Sequence, residues 1–458
     1  MMFKKRELSL LAGKLAFLVV LGANGQVAWA GEQDSAPEEQ APQIHINLPD
    51  PETQLPLEEL RRFTEVFDRI KKTYVEDVDD STLLNNAIKG MLSGLDPHST
   101  YLEPSAFDDL QETTSGEFGG IGIEVGLENG FIKVISPIDD TPATQAGIEA
   151  GDLIIKLDGE TVKGMALEEA VKKMRGKPGS KLILTLVREG ENAPIEKTVV
   201  RAVIQVASVK HQLLENDIGY VRITQFQAKT GSDFKKSLAK LNKDSKSAIK
   251  GLVIDLRNNP GGVLQAAVEV ADSLLDEGLI VYTEGRIKSS QLRFSASPGD
   301  DTNKVPIVVL INGGSASASE ILAGALQDHR RAIVMGTDSF GKGSVQTVMP
   351  LNDDYGLKLT TARYYTPSGR SIQALGITPD VEVKRAKLTE LQSQPIFKEA
   401  DLSGHLSNDT SKEDAAQSPN EADTNQEEAI NRDFQLREAV NLLKGLMIYA
   451  DSAKKVLP

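Results

Sequence analysis

Apolar residues recur in two rhythms along this chain, and the change from one to the other divides it. Leu57, Leu60, Phe63, Val66, Phe67, Ile70 and Tyr74 fall three or four residues apart, on one face of a helix. A second helix is predicted from Ser81 or Thr82, with Leu84, Ala87, Ile88, Met91 and Leu95 aligned. Asp96-Pro97 ends it, because a residue before proline avoids helical dihedrals. From about residue 116 to 201 the texture shortens to β runs: a glycine-rich turn entering a strand over 118–125, then 131–135, 142–147 and 151–159. A helix over 166–175 and strands over 181–188 and 195–203 complete this stretch. Residues 205–385 alternate strands, near 219–224, 251–256, 279–282, 305–311 and 357–365, with helices such as 229–241 and 264–275, an α/β pattern. Past Arg385 the chain turns acidic and polar, and 386–431 is expected to be a linker. A last amphipathic helix within 432–458 aligns Phe434, Leu436, Val440, Leu443, Met447 and Ile448. That stripe needs a cover, either a second copy or its own core.

The N-terminus has the layout of an export signal. Lys4, Lys5 and Arg6 precede a mostly apolar stretch over 8–22, and Ala28-Trp29-Ala30 is a small-x-small cleavage site. Lys14 interrupts the apolar stretch, which argues against a permanent anchor. Residues 31–56, rich in Pro, Glu and Gln, are expected to be a flexible leader. The formal charge is -15, and loss of residues 1–30 takes four cations and one anion with it, leaving -18. Phosphate backbones repel such a chain, and it has no basic stripe with aromatics, so no nucleic-acid partner is expected. With no cysteine and five scattered histidines, neither a disulfide, a thiol nucleophile nor a metal site is expected.

Three segments carry candidate chemistry. In Ser315-Ala316-Ser317-Ala318-Ser319-Glu320 an apolar strand turns into the helix 321–327. Each serine is a candidate nucleophile, and each also suits a helix cap. The roles are compatible, since amide dipoles at a helix start favour developing negative charge. Phe340-Gly341-Lys342-Gly343-Ser344-Val345-Gln346 puts a lone lysine in a glycine-flanked turn after the short strand 332–335. A lysine buried enough to lose its proton near neutral pH can act as base for a serine. In Asp255-Leu256-Arg257-Asn258-Asn259-Pro260-Gly261-Gly262 the glycines either make a plain turn or let amides approach a substrate oxygen. Together the segments suggest a serine–lysine hydrolase.

Two rivals are weaker. Residues 336–342 match the opening of a phosphate-binding P-loop, but Gly343 stands where that motif needs Ser or Thr, and 344–349 reads as a strand rather than a helix. His329 as base for Ser317 would sit about 12 helical residues, roughly 18 Å, away. His98 and His211 lie outside any glycine-rich or strand-end setting.

Residues 116–204 resemble a PDZ domain in the arrangement found in bacterial proteases, through the apolar-Gly-apolar turn, the run Ala146-Gly147-Ile148-Glu149-Ala150-Gly151-Asp152-Leu153-Ile154 and the late helix. Such a module suits capture of a chain end. Amides around Gly120, Ile121 and Gly122 can face a carboxylate, and the strand through Ile123 offers an edge to a peptide. Ala170 and Met174 would form the pocket for an apolar terminal residue. A spacer is the alternative.

The order of signal, helices with Asp96-Pro97-His98-Ser99, PDZ-like module and the three catalytic segments resembles the C-terminal processing peptidases, or tail-specific proteases, over about residues 55–385. The resemblance implies an α+β multidomain chain: a crotonase-like α/β serine protease core over 205–385, an inserted PDZ domain over 116–204, and helical N-terminal (57–115) and C-terminal segments. It implies Ser317 as nucleophile, Lys342 as general base, Gln346 orienting the lysine, and oxyanion amides at Ala318 and at Gly261 or Gly262. No cofactor is implied. The expected activity is periplasmic endoproteolysis at or near a protein's C-terminus, with or without association with a membrane. The expected partners are proteins with free tails, a periplasmic adaptor, and further copies joined through the terminal helices. The alternative is a non-catalytic or adaptor-activated PDZ scaffold that binds such tails.

Overall fold

The computed structural model describes residues 56–246, 248–351, 354–386 and 433–456, together with 398, 402–403 and 405–406. The expected signal, nearly all of the leader and most of the linker lie outside the described residues. The chain divides into two units, residues 1–77 and 78–458. In the first, α1 (Leu57–Thr73) has its polar side laced by Arg69–Glu65 and Lys72–Asp68 pairs at i,i+4 spacing, and none of its residues is buried.

The second unit begins with α2 (Asp80–Ser93), capped by Asp79, whose carboxylate accepts from Thr82 N and Oγ1. β1 (Thr100–Leu102) follows, then α3 (Pro104–Ser115), with proline in its first turn. Gly116 ends α3 at φ 74°, where a Cβ would strike the Gln227 side chain.

β2 (Glu117–Gly120) and β9 (Ala202–Gln205) pair antiparallel and form the neck of an inserted module. Its sheet runs β3 (Ile123–Glu128), β4 (Phe131–Pro137), β5 (Leu153–Leu157), β7 (Lys181–Val187), β8 (Ile195–Val200), with β6 (Glu160–Thr161) beside β5. α4 (Pro142–Gln145) and α5 (Leu167–Met174) cover the core of Ile121, Ile132, Val134, Ile154, Leu182, Leu184 and Leu186. β3 lies at the sheet's edge. The run anticipated as one strand over 195–203 breaks at Arg201, which turns inward. Its guanidinium donates to Lys173 O and Met174 O at the end of α5 and to Lys181 O, satisfying carbonyls the helix leaves open.

The remaining elements form a six-stranded sheet in the order β10 (Val209–Leu214), β11 (Ile218–Ile223), β12 (Gly251–Asp255), β15 (Ile307–Ile311), β16 (Ala332–Gly336), β19 (Val381–Glu382). Only the β10–β11 pairing is antiparallel. β12 and β15 are buried at every residue, as parallel strands covered on both faces must be. One face packs on α6 (Thr230–Asp244), α7 (Leu264–Asp272) and α8 (Ala318–Asp328) through Phe234, Leu238, Ala267, Val270, Leu322 and Leu326. The other is covered by α9 (Phe434–Val456), whose Leu436, Ala439, Val440 and Leu443 sit on Val253, Val308 and Leu310. The first half of that stripe is thus spent on the chain's own core, one of the two covers expected for it. A smaller sheet, β1–β18–β13–β14, joins β18 (Gly356–Tyr365), β13 (Leu279–Gly285) and β14 (Arg293–Ser295), with β17 (Ser344–Pro350) hairpinned on β18.

Candidate active site

Loops leave the C-terminal ends of three adjacent parallel strands, β12, β15 and β16, which is where open α/β sheets present their ligand sites. They carry residues 256–262, 312–317 and 337–343, the three candidate segments. The first two are stitched together: Ser315 Oγ donates to Leu256 O at 2.8 Å, Ser319 Oγ to Asn259 O at 2.9 Å, and Ala316 N to the same carbonyl at 3.0 Å. Ser315 and Ser319 are fully buried, with their hydroxyls engaged. Ser317, half-buried, is the serine of the three that lines the cleft.

Ser317 caps α8 at φ 57°, ψ -116°, a conformation strained for any residue with a Cβ. Glu320, three residues on, holds it there by accepting the Ser317 N–H at 2.7 Å. The same buried carboxylate accepts Gly341 N at 2.7 Å, Lys342 N at 2.9 Å and Ser339 Oγ at 2.5 Å. One side chain therefore binds the serine loop and the lysine loop. Burial pushes its carboxyl up, against these donors, which favour the anion. Glu320 closes the serine segment, where sequence alone assigned it no role. The Ser-x-x-Glu spacing of a capping box was the signal that pointed to it.

Lys342 and Ser317 line one cleft of about 440 Å³, with Gln346, Ala318, Gly261, Gly262 and the apolar Phe226, Ile321 and Val345. Burial, and then the nearby charge of Lys358, hold the Lys342 amine below its usual value, while Glu320 and Asp96 work the other way. Among the described residues, no ion pair is formed by Lys342, and no hydrogen bond joins its Nζ to Ser317 Oγ. Gln346 Nε2 reaches Ser344 Oγ at 2.9 Å and Thr360 Oγ1 at 3.3 Å rather than the lysine. The phenol of Tyr364, deeply buried, faces Ser317 without a bond of full geometry. His98 lies close enough for Lys342 to add to burial in lowering its pKa. His329 ends α8 on the far side and bonds Leu279 O. β17 follows Lys342 where a P-loop would need a helix.

The glycines separate in role. A Cβ on Gly261 would come within 2.7 Å of Ser317 Cβ and 2.9 Å of Ala318 N, so this loop lies against the serine. Its own amide donates to Asn259 Oδ1 at 2.9 Å and is engaged, which favours Gly262 of the two expected alternatives. Gly262 N and Ala318 N form no hydrogen bond among the described residues. Gly262, at φ 137°, tolerates no side chain, since a Cβ would meet Phe226 O at 2.0 Å.

In the inserted module, Ile121 and Gly122 are buried at the turn before β3, and Gly122 at φ 81° packs on Thr141. Gly120 is committed to pairing with Ala202. Ala170 and Met174 lie in the module's core with Ile121. The apolar surface left half-exposed beside that core includes Ile123 and Val125 of β3 and Leu167 and Val171 of α5.

Comparison with known proteins adds three family matches: "Peptidase family S41" over residues 217–383, "PDZ domain" over 119–199, and "Activating protease CtpB N-terminal domain" over 19–106. A carboxy-terminal-processing protease of Bartonella bacilliformis is 48% identical over 398 residues, 86% of this chain and 90% of its own. The carboxy-terminal processing protease CtpA of Bacillus subtilis is 36% identical over 344 residues, 74% of this chain and 73% of its own. Among solved structures, a photosystem II D1 C-terminal processing protease is similar at 32% identity, covering 70% of this chain and 86% of that one, with a TM-score of 0.42.

Proposed function

The chain belongs to the carboxy-terminal processing proteases of peptidase family S41, which are serine peptidases, and we propose that it is an exported, periplasmic endopeptidase whose Ser317 and Lys342 cut proteins near their free C-termini. The observation that carries this reading is the double grip of Glu320, which places a strained serine and a half-buried lysine on one cleft.

Lys342, in the neutral form that its burial favours, accepts the Ser317 proton as Oγ attacks the scissile carbonyl carbon. The oxyanion takes hydrogen bonds from Ala318 N and Gly262 N. As the C–N bond breaks, the ammonium returns its proton to the departing amine, leaving an acyl-enzyme ester. Water then attacks the ester, giving its proton to Lys342, and Ser317 is restored. That no hydrogen bond joins the two side chains among the described residues fits this scheme, because catalytic hydrogen bonds of substrate-free enzymes often tighten only with substrate bound. The PDZ module supplies the tail: a substrate strand adds to the free edge of β3, and its carboxylate meets the amides of the preceding turn.

The test uses a protein substrate with a free or an amidated C-terminus. Wild type is expected to cut the free form preferentially. Purified Ser317→Ala and Lys342→Ala should fold and lose turnover by roughly 10³-fold or more. Wild-type turnover in Ser317→Ala would refute the nucleophile, and retention of the tail without cleavage by the native protein would favour the scaffold.

A further inference from the structure

The loop Asp96-Pro97-His98-Ser99 has no part in the chemistry above, yet it is tied to the cleft. β1 pairs with β18, Thr100 opposite Lys358, which brings the loop against Thr360 on the same strand. Asp96 Oδ1 accepts from His98 N at 2.8 Å, Ser99 N at 3.0 Å and Thr360 Oγ1 at 3.1 Å, and Oδ2 accepts from Ser99 Oγ at 2.7 Å. Ser99 Oγ in turn accepts the Thr360 N–H at 3.1 Å. Burial works to raise the Asp96 carboxyl, but the bonds from Ser99, His98 and Thr360 outweigh it and hold it below the usual carboxylate range. It is an anion at neutral pH, and an anion only accepts.

A threonine hydroxyl has one hydrogen, and Asp96 claims it. Towards Gln346, 3.3 Å away, Thr360 Oγ1 can then only accept, so the end of Gln346 that faces it is the amide NH2. Ser344 Oγ, 2.9 Å from the same nitrogen, can donate or accept and so enforces neither orientation. Thr360 does. The carbonyl Oε1 remains for the cleft that Gln346 shares with Lys342.

We propose that Thr360, with its proton claimed by Asp96, is a positioning residue that keeps the Gln346 carbonyl rather than its NH2 turned to the Lys342 amine. This rests on Lys342 being the base and Gln346 its orienting partner. The carbonyl accepts an N–H of the amine and leaves the nitrogen lone pair to the Ser317 hydroxyl. A flipped amide would donate into that lone pair and compete with Ser317 for it.

Thr360→Val removes the hydroxyl at nearly constant shape, and Thr360→Ser keeps it. With a tailed peptide substrate, Thr360→Val is expected to lower kcat about tenfold with little change in KM, and Thr360→Ser to stay near wild type. In a Gln346→Ala background Thr360→Val should have no further effect, because its influence passes through that side chain. Should Thr360→Val misfold on thermal melting, Thr360→Ala carries the same expectations. Wild-type kcat in the hydroxyl-free variant, or a loss that multiplies with that of Gln346→Ala, overturns this proposal alone. Wild-type rates in Lys342→Ala sink the serine–lysine reading and this inference with it, whereas wild-type rates in Gln346→Ala sink this inference alone.

Discussion

Glu320 decides how far apart Ser317 and Lys342 can lie. It is fully buried and accepts three amides from the two catalytic segments: the serine's own, and those of Gly341 and Lys342. Glu320→Ala would strand these donors inside the protein, so a loss of about 3 kcal/mol in urea unfolding is expected, with a fall in kcat exceeding what the folded fraction explains. An unchanged kcat in the folded variant would remove Glu320 from the catalytic account. Lys358 acts through charge instead. Its ammonium disfavours a second cation on Lys342, so Lys358→Met should raise the Lys342 pKa. Activity requires the neutral amine, which exists above that pKa. The acidic limb of the kcat/KM profile is therefore expected to move to higher pH in Lys358→Met, and a shift to lower pH would contradict the assignment of Lys342 as base.

At the scale of elements, the site depends on the register of β12, β15 and β16, whose ends launch its three loops. α9 braces the back of those strands. Asp433, directly before it, and its Gln435 bond Arg257, and Arg257 bonds Asp255 at the end of β12, directly before the glycine loop. Leu443 is fully buried against the sheet, while Ile448, one turn and more further on, is 70% exposed. Leu443→Asp would bury an unpaired carboxylate and is expected to destabilise the core by about 3 kcal/mol or more. Ile448→Asp should cost less than about 0.5 kcal/mol. Equal urea midpoints for the two variants would mean that α9 is not docked in solution.

At the scale of the whole molecule, the PDZ module joins the rest of the second unit through the β2–β9 neck, and Glu117 at its base pairs with Lys229 of the core and Gln205 of the neck. A tail bound along β3 meets Val125, half-exposed at the edge of the module's core. Val125→Asp places a charge on that path. KM for a free-tailed protein is expected to rise roughly tenfold, and the preference for a free over an amidated C-terminus to shrink. An unaltered preference would mean that tails are read elsewhere.

How much of this was legible beforehand follows from the physics of each feature. The sequence alone determined the succession of elements and the chemistry on offer. Apolar spacing marked α1, α2, α5, α6 and α7, buried runs marked β12 and β15, and the glycine-flanked Lys342 and the serine cluster stood out as local patterns. Periodicity and turn chemistry are properties of neighbours in the chain, so they can be read without a fold. Contacts between distant segments cannot. Only the tertiary structure decided that Ser315 and Ser319 spend their hydroxyls on the 256–259 carbonyls, and that Gly261 spends its amide on Asn259. It also set Glu320 across two loops and Thr360 between Asp96 and Gln346. The covering of the second sheet face by α9 belongs to the same class, because an amphipathic stripe states that it needs a partner and not which one.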